Sequence, residues 1–118
     1  IFGSGKPRRE IMHVDDLSNA IRKIINLLMN NNMKLNQLIK KYSFVNIGSG
    51  KDYTIKQYAT ILRKIINVNV KFKFNKKYPD GTLRKLLDIK KIKSLGWKPS
   101  ISLKMGIAKT YNWYKKNV

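Results

Sequence analysis

Apolar residues recur at Leu17, Ala20, Ile21, Ile24, Ile25 and Leu28, the 3.6-residue period of an amphipathic helix. Asp15 and Asp16 stand where an N-cap and first-turn acids belong, and Asn30-Asn31-Asn32 closes the element. The next stretch, Met33 to Tyr42, admits either a helical turn through Leu35, Leu38 and Ile39 or an inserted loop. Ser43 to Ile47 is an apolar run that reads as a buried strand and stops at Gly48-Ser49-Gly50. Thr54 and Gln57 form a capping box for a helix through Tyr58, Ile61, Leu62 and Ile65. Val68, Val70, Phe72 and Phe74 alternate with Asn69, Lys71 and Lys73, the period of a half-exposed strand. A loop from Asn75 to Lys85 is built around Pro79-Asp80-Gly81. Asp88 opens a short helix with Gly96 as its stop, and Ser102 caps a last helix carrying Leu103, Ile107, Tyr111 and Tyr114 on one face. With a short extended stretch at Glu10 to Val14, the order is strand, helix, strand, helix, strand and two helices. That order predicts one compact α/β unit of two layers over residues 1–118.

Composition removes several classes. The 118 residues suffice for one domain, and 42% hydrophobic content argues against disorder. There is no cysteine, so disulfides, thiolate metal sites and a cysteine nucleophile are all out. One histidine excludes a histidine-rich metal site. No apolar stretch reaches the ~20 residues needed to span a bilayer. The formal net charge of +20 raises a different class, a basic nucleic-acid-binding module. Against that class, lysines outnumber arginines 21 to 5 and fall on most segments, whereas guanidinium is the better fork for phosphates and bases. No specific nucleic-acid contact and no membrane contact is therefore expected.

The tempting motifs mostly fail on spacing. Gly3-Ser4-Gly5 and Gly48-Ser49-Gly50 lack the third glycine of a dinucleotide fingerprint, with Arg8 and Tyr53 in its place. Pro7 and Asp52 stand where a Walker loop needs Ser or Thr. Tyr111 and Lys115 have the Tyr-x-x-x-Lys spacing of a catalytic pair but lie in the last turns of the chain, with no cofactor-binding strand before them. His13 reads as a packed residue, and Asp15-Asp16 as capping rather than metal ligation. Two basic clusters remain: Arg8-Arg9-Glu10 near Phe2, and Arg84-Lys85 near Asp80. Guanidinium and ammonium groups beside an aromatic ring suit a diphosphate attached to a base.

Four blocks then fall in one order: Phe2-Gly-Ser-Gly-Lys-Pro-Arg-Arg9-Glu10 into His13-Val-Asp-Asp16; Asn46-Ile-Gly-Ser-Gly50 into Thr54-Ile55; Pro79-Asp-Gly-Thr82 with Arg84-Lys-Leu-Leu-Asp88; and Leu95-Gly-Trp97 with Ser102-Leu103, Thr110-Tyr111 and Trp113. Together they resemble the extended short-chain dehydrogenase/reductases that act on nucleotide sugars, following the pattern of the GDP-L-fucose synthases. The resemblance implies the C-terminal, substrate-binding portion of a Rossmann-type fold, without the cofactor-binding half. It implies a cytoplasmic, homodimeric enzyme that epimerises and reduces GDP-4-keto-6-deoxy-D-mannose with NADP, the cofactor being held by the N-terminal region outside these residues. It places no catalytic residue here, so this chain alone is expected to be inactive. Substrate contacts carry over to Phe2 (the base-side aromatic), Arg9 (the diphosphate), Asp80 (the acid of the Pro-Asp-Gly turn) and Lys85 (a cation facing the nucleotide). Arg8 stands where the family usually has an uncharged residue. Another nucleotide-sugar epimerase or dehydratase is the neighbouring alternative.

Overall fold

The computed structural model describes residues 1–118, in the order β1 (Arg8–Glu10), α1 (Val14–Met29), α2 (Met33–Tyr42), β2 (Asp52–Thr54), α3 (Ile55–Ile66), α4 (Lys90–Ser94) and α5 (Leu103–Asn117). β1 and β2 pair antiparallel, with Arg8 opposite Thr54, Arg9 opposite Tyr53 and Glu10 opposite Asp52. The fold is a small mixed α/β unit, as the sequence predicts.

Several elements start where the sequence places them. Thr54 and Gln57 close their capping box at both bonds. The Ser102 side chain accepts from the Met105 amide to open α5. α4 ends at Ser94 with Leu95 as its C-cap, and Gly96 follows at a φ of 80°. The ambiguous stretch is a full helix, α2, capped by the Asn32 side chain. Its Leu35 is buried with Ala20, Ile89, Ile92, Leu95 and Trp97 in the one core cluster.

Four readings need correction. The N-cap of α1 is His13, whose Nδ1 accepts from the Asp15 amide at 3.2 Å. Asp16 is the expected first-turn acid, and it is also buried and joins two distant elements. Its carboxylate accepts from the Ser100 amide and hydroxyl and from the Ile101 amide. Asp88 accepts from the Lys90 amide but sits one residue ahead of the cap position, Ile89. Neither Ser43–Ile47 nor Val68–Phe74 is a strand. Val45 and Ile47 do pack on the core cluster, so the side-chain condition for a strand is met. A strand also needs a neighbour for its backbone, and the one sheet of the chain pairs only β1 with β2. Only the end of the second one pairs: the Ile1 amino group donates to the Lys73 carbonyl, and the Asn75 amide to the Ile1 carbonyl.

The expectation of a compact unit also gives way. The molecule measures 53 × 35 × 19 Å with a radius of gyration of 17.7 Å, against about 13.5 Å for a compact domain of this length. Its accessible surface is 8954 Å², where a folded monomer of 13.8 kDa exposes about 6600 Å². The chain is a slab. α1 shows why: it has a strong apolar stripe, yet Leu17, Ile21, Ile25 and Leu28 all stay exposed.

Candidate nucleotide-binding seam

β1 is flanked on both sides. Opposite β2, the Arg8 amide donates to the Leu83 carbonyl at 2.7 Å, and the Lys85 amide donates to the Arg8 carbonyl at 3.2 Å. Arg8 and Arg84 thereby face one another in a parallel bridge. Side chains alternate across such a ribbon, so its two faces differ. Arg8, Glu10, Asp52 and Arg84 share one face; Arg9 and Lys85 belong to the other.

The first face is electrostatically closed. Arg8 Nη2 donates to Asp52 Oδ1 at 2.9 Å, and Arg84 Nε donates to Oδ2 at 2.5 Å. These two guanidiniums, Arg8 first, hold the Asp52 carboxyl well below the usual range, at about 2. Glu10 is engaged as fully. Its Oε1 accepts from the Gly50 amide at 2.6 Å and the Ser49 hydroxyl at 3.2 Å, and its Oε2 accepts from the Leu87 amide at 3.0 Å. A Cβ on Gly48 would lie 2.6 Å from Glu10 Oε1, which is why the segment ahead of β2 carries glycine there.

On the second face the cations are free. Arg9 Nη1 donates to the carbonyls of Arg8 and Thr82, both at 2.7 Å. A guanidinium has five N–H donors; the Nε and Nη2 edge remains, which is the edge suited to bidentate phosphate binding. Arg9 and Lys85 make no salt bridge, whereas Arg8 and Arg84 both do. Gly81 lies beside Arg9, and a Cβ there would sit 3.3 Å from Nη2.

From this ribbon the opening segment runs back along the 75–85 loop. Asp80 Oδ1 accepts from the Ser4 amide at 2.8 Å, and Oδ2 accepts from the Ser4 hydroxyl at 2.5 Å. These bonds, the hydroxyl's first, lower the Asp80 pKa. Gly3, at a φ of 75°, lies directly against this carboxylate, where a side chain would collide with it. Beyond it the Phe2 ring, 73% exposed, leans on Tyr78 with centroids 4.3 Å apart and planes at 46°. Phe2, Asp80, Arg9 and Lys85 therefore lie along one seam between two chain segments. Tyr78 and Ser4 join them there; Tyr78, an aromatic next to Pro79, was legible as a candidate, while Ser4 had no signal apart from its neighbours.

The remaining candidates go elsewhere. Lys115 Nζ lies 4.9 Å above the Tyr111 ring centroid, a cation–π contact rather than the hydroxyl contact a catalytic pair uses. Asp15 turns to Lys109 at 3.4 Å while Asp16 turns to Ser100, so the adjacent carboxylates diverge. Nor does either glycine pair cradle a cofactor pyrophosphate. The space beside Gly3 is filled by Asp80 and that beside Gly48 by Glu10, both anionic groups.

This geometry has close relatives. No family model matches the chain. GDP-L-fucose synthase 1 of Arabidopsis thaliana is 40% identical over 121 residues, covering all of this chain and 33% of its own length. A GDP-6-OMe-4-keto-L-xylo-heptose reductase from C. jejuni superposes with a TM-score of 0.84 at 41% identity, covering 100% of this chain and 34% of that one. A GDP-mannoheptose C4 reductase from Campylobacter jejuni, solved with NADP bound, gives 0.78 at 43% identity, covering 98% and 34%. The chain is built as the C-terminal portion of an extended short-chain dehydrogenase/reductase. It spans about a third of the length of the curated relatives it matches.

Proposed function

We propose that residues 1–118 are the nucleotide-sugar-binding portion of an NADP-dependent epimerase/reductase that forms GDP-L-fucose from GDP-4-keto-6-deoxy-D-mannose. The observation that carries this reading is the pair of free cations, Arg9 and Lys85, on one ribbon face next to an exposed aromatic pair. Arg9 presents its open edge to the diphosphate, Lys85 adds a second positive charge, and Phe2 with Tyr78 covers the base. Asp80 holds the opening segment through Ser4 and keeps lone pairs for a substrate hydroxyl, since a carboxylate has about four acceptor sites.

The chemistry belongs to a portion outside these residues, which supplies the NADP site and the acid/base groups. Binding energy from the remote nucleotide serves to position the sugar ring against those groups. The exposed stripe of α1 is the face on which such a portion packs. Other nucleotide sugars are the competing substrates, and product analysis with the full-length gene product separates them.

The test of the seam is a titration of the full-length gene product with GDP. Arg9→Ala is expected to weaken binding by about 1–3 kcal/mol, the range for a hydrogen bond to a charged group. Unchanged affinity removes Arg9 from the site and the reading with it.

A further inference from the structure

Arg9 is held at two levels, and the second one depends on a residue far away in sequence. Its guanidinium is pinned by two carbonyls, but where the whole side chain starts from is set by the β1 backbone. The Arg9 carbonyl accepts from the Tyr58 hydroxyl at 2.8 Å. We propose that Tyr58 is the positioning residue for Arg9, fixing the strand so that the open guanidinium edge meets the diphosphate; this rests on the reading of Arg9 given above.

The placement of Tyr58 follows from α3. The capping box fixes the first turn of α3 directly after β2, so the fourth helical residue, Tyr58, is carried back over β1. Its ring is 5% exposed, and Tyr53 meets it edge-on at 5.7 Å and 68°. Tyr53 is the register partner of Arg9. One tyrosine thus sits opposite Arg9 in the ribbon and buttresses the ring of the other, whose hydroxyl holds the Arg9 carbonyl. Packing alone would need only an apolar side chain here. Burial pushes the Tyr58 phenol up, partly opposed by hydrogen bonding with the Ile11 backbone, so the hydroxyl keeps its proton through neutral pH. Neither Asp52 nor Glu10 can substitute, because an ionised carboxylate only accepts and has no hydrogen to donate to a carbonyl.

The experiment is a double-mutant cycle in the full-length gene product, with GDP and GMP titrated calorimetrically. Tyr58→Phe keeps the ring and removes only the donor. Loss of one buried hydrogen bond should weaken GDP by about 3- to 10-fold. GMP, which lacks the second phosphate, should change by less than about twofold, so the GDP-to-GMP preference narrows. In the Arg9→Ala background Tyr58→Phe should add nothing, since the group it positions is gone. Equal weakening of GDP and GMP, or full additivity with Arg9→Ala, marks a general structural effect and overturns the proposal. So does a Tyr58→Phe protein that binds both as the parent does while Arg9→Ala weakens GDP. If Arg9→Ala itself has no effect, the reading of the site fails first. A thermal melt accompanies each variant; a normal melt with a narrowed preference is the expected combination.

Discussion

Around β1, three carboxylates are each engaged by at least two donors: Asp52 by Arg8 and Arg84, Glu10 by Ser49, Gly50 and Leu87, and Asp80 by both donors of Ser4. Along α1, by contrast, Leu17, Ile21, Ile25 and Leu28 are 39%, 46%, 49% and 45% exposed. The polar ribbon is complete and the apolar stripe is not. The difference follows from range and direction. Asp52 is buried and Glu10 half-buried, and a carboxylate with reduced access to water must find donors at ~3 Å in its own neighbourhood, so its partners are encoded nearby in the fold. Apolar burial is non-directional and scales with area, so any later layer can supply it. A slab with its hydrogen bonds closed and its apolar face bare is therefore a stable arrangement for one layer of a larger fold.

The sharpest test of a closed carboxylate lies outside the ribbon, on α1 itself, at Asp16. This carboxylate ties the first turn of α1 to the segment ahead of α5 through three bonds. Burial alone would raise its pKa, but the amides of Ser100 and Ile101 and the Ser100 hydroxyl outweigh that and lower it. Asp16→Ala should lose about 3 kcal/mol, because two amides lose a charged acceptor in a buried position. Urea unfolding of parent and variant checks it; a loss below about 1 kcal/mol would mean water takes the acceptor's place.

Asp52 gives the next effect, seen in pH rather than at one point. Its folded pKa, about 2, lies below the ordinary aspartate value near 3.9. The unfolded chain therefore takes up the proton first, and stability falls with pH. The contribution is fully present above about pH 4 and is lost progressively as pH drops towards 2. Asp52→Asn removes this part of the acid limb, and an acid titration followed by circular dichroism should show a shallower fall. An unchanged limb would assign the acid sensitivity to Asp16 and Asp80, whose pKa values are lowered as well.

What the sequence made legible divides along the same line. Local signals held: the Thr54–Gln57 box, the Ser102 cap and the Gly96 stop each depend on residues within one turn. The site candidates Phe2, Arg9, Asp80 and Lys85 were placed by resemblance, and they share one seam because the 1–9 and 75–85 segments zip together. Non-local signals failed. The alternation at Val68–Phe74 is genuine, but alternation describes a side-chain surface and says nothing about which backbone lies alongside. Asp16 was read correctly as a first-turn acid, but its tie to the segment ahead of α5 left no trace: its partners are 84 and 85 residues away, and a helix start explains an acid equally well. Tyr58 looked like one more apolar position in a helical stripe, since a hydroxyl that donates to a distant carbonyl leaves no periodic trace.

The smallest expected effect tests the bare half. Ile25 faces outward from α1 and is 49% exposed. Ile25→Gln keeps an adequate helix former and exchanges a surface that already meets water. In residues 1–118 alone the change should cost less than about 1 kcal/mol, as surface substitutions do. In the full-length gene product the outcome should differ. On the function proposed above, the stripe there lies under the portion that binds the cofactor, and a buried amide without partners costs about 1–3 kcal/mol on top of the lost apolar contact. The two urea midpoints, taken side by side, turn the comparison into a number. A cost that is equally small in both proteins would show that α1 faces solvent throughout, and the bare stripe would then be a property of this layer rather than the bed for another.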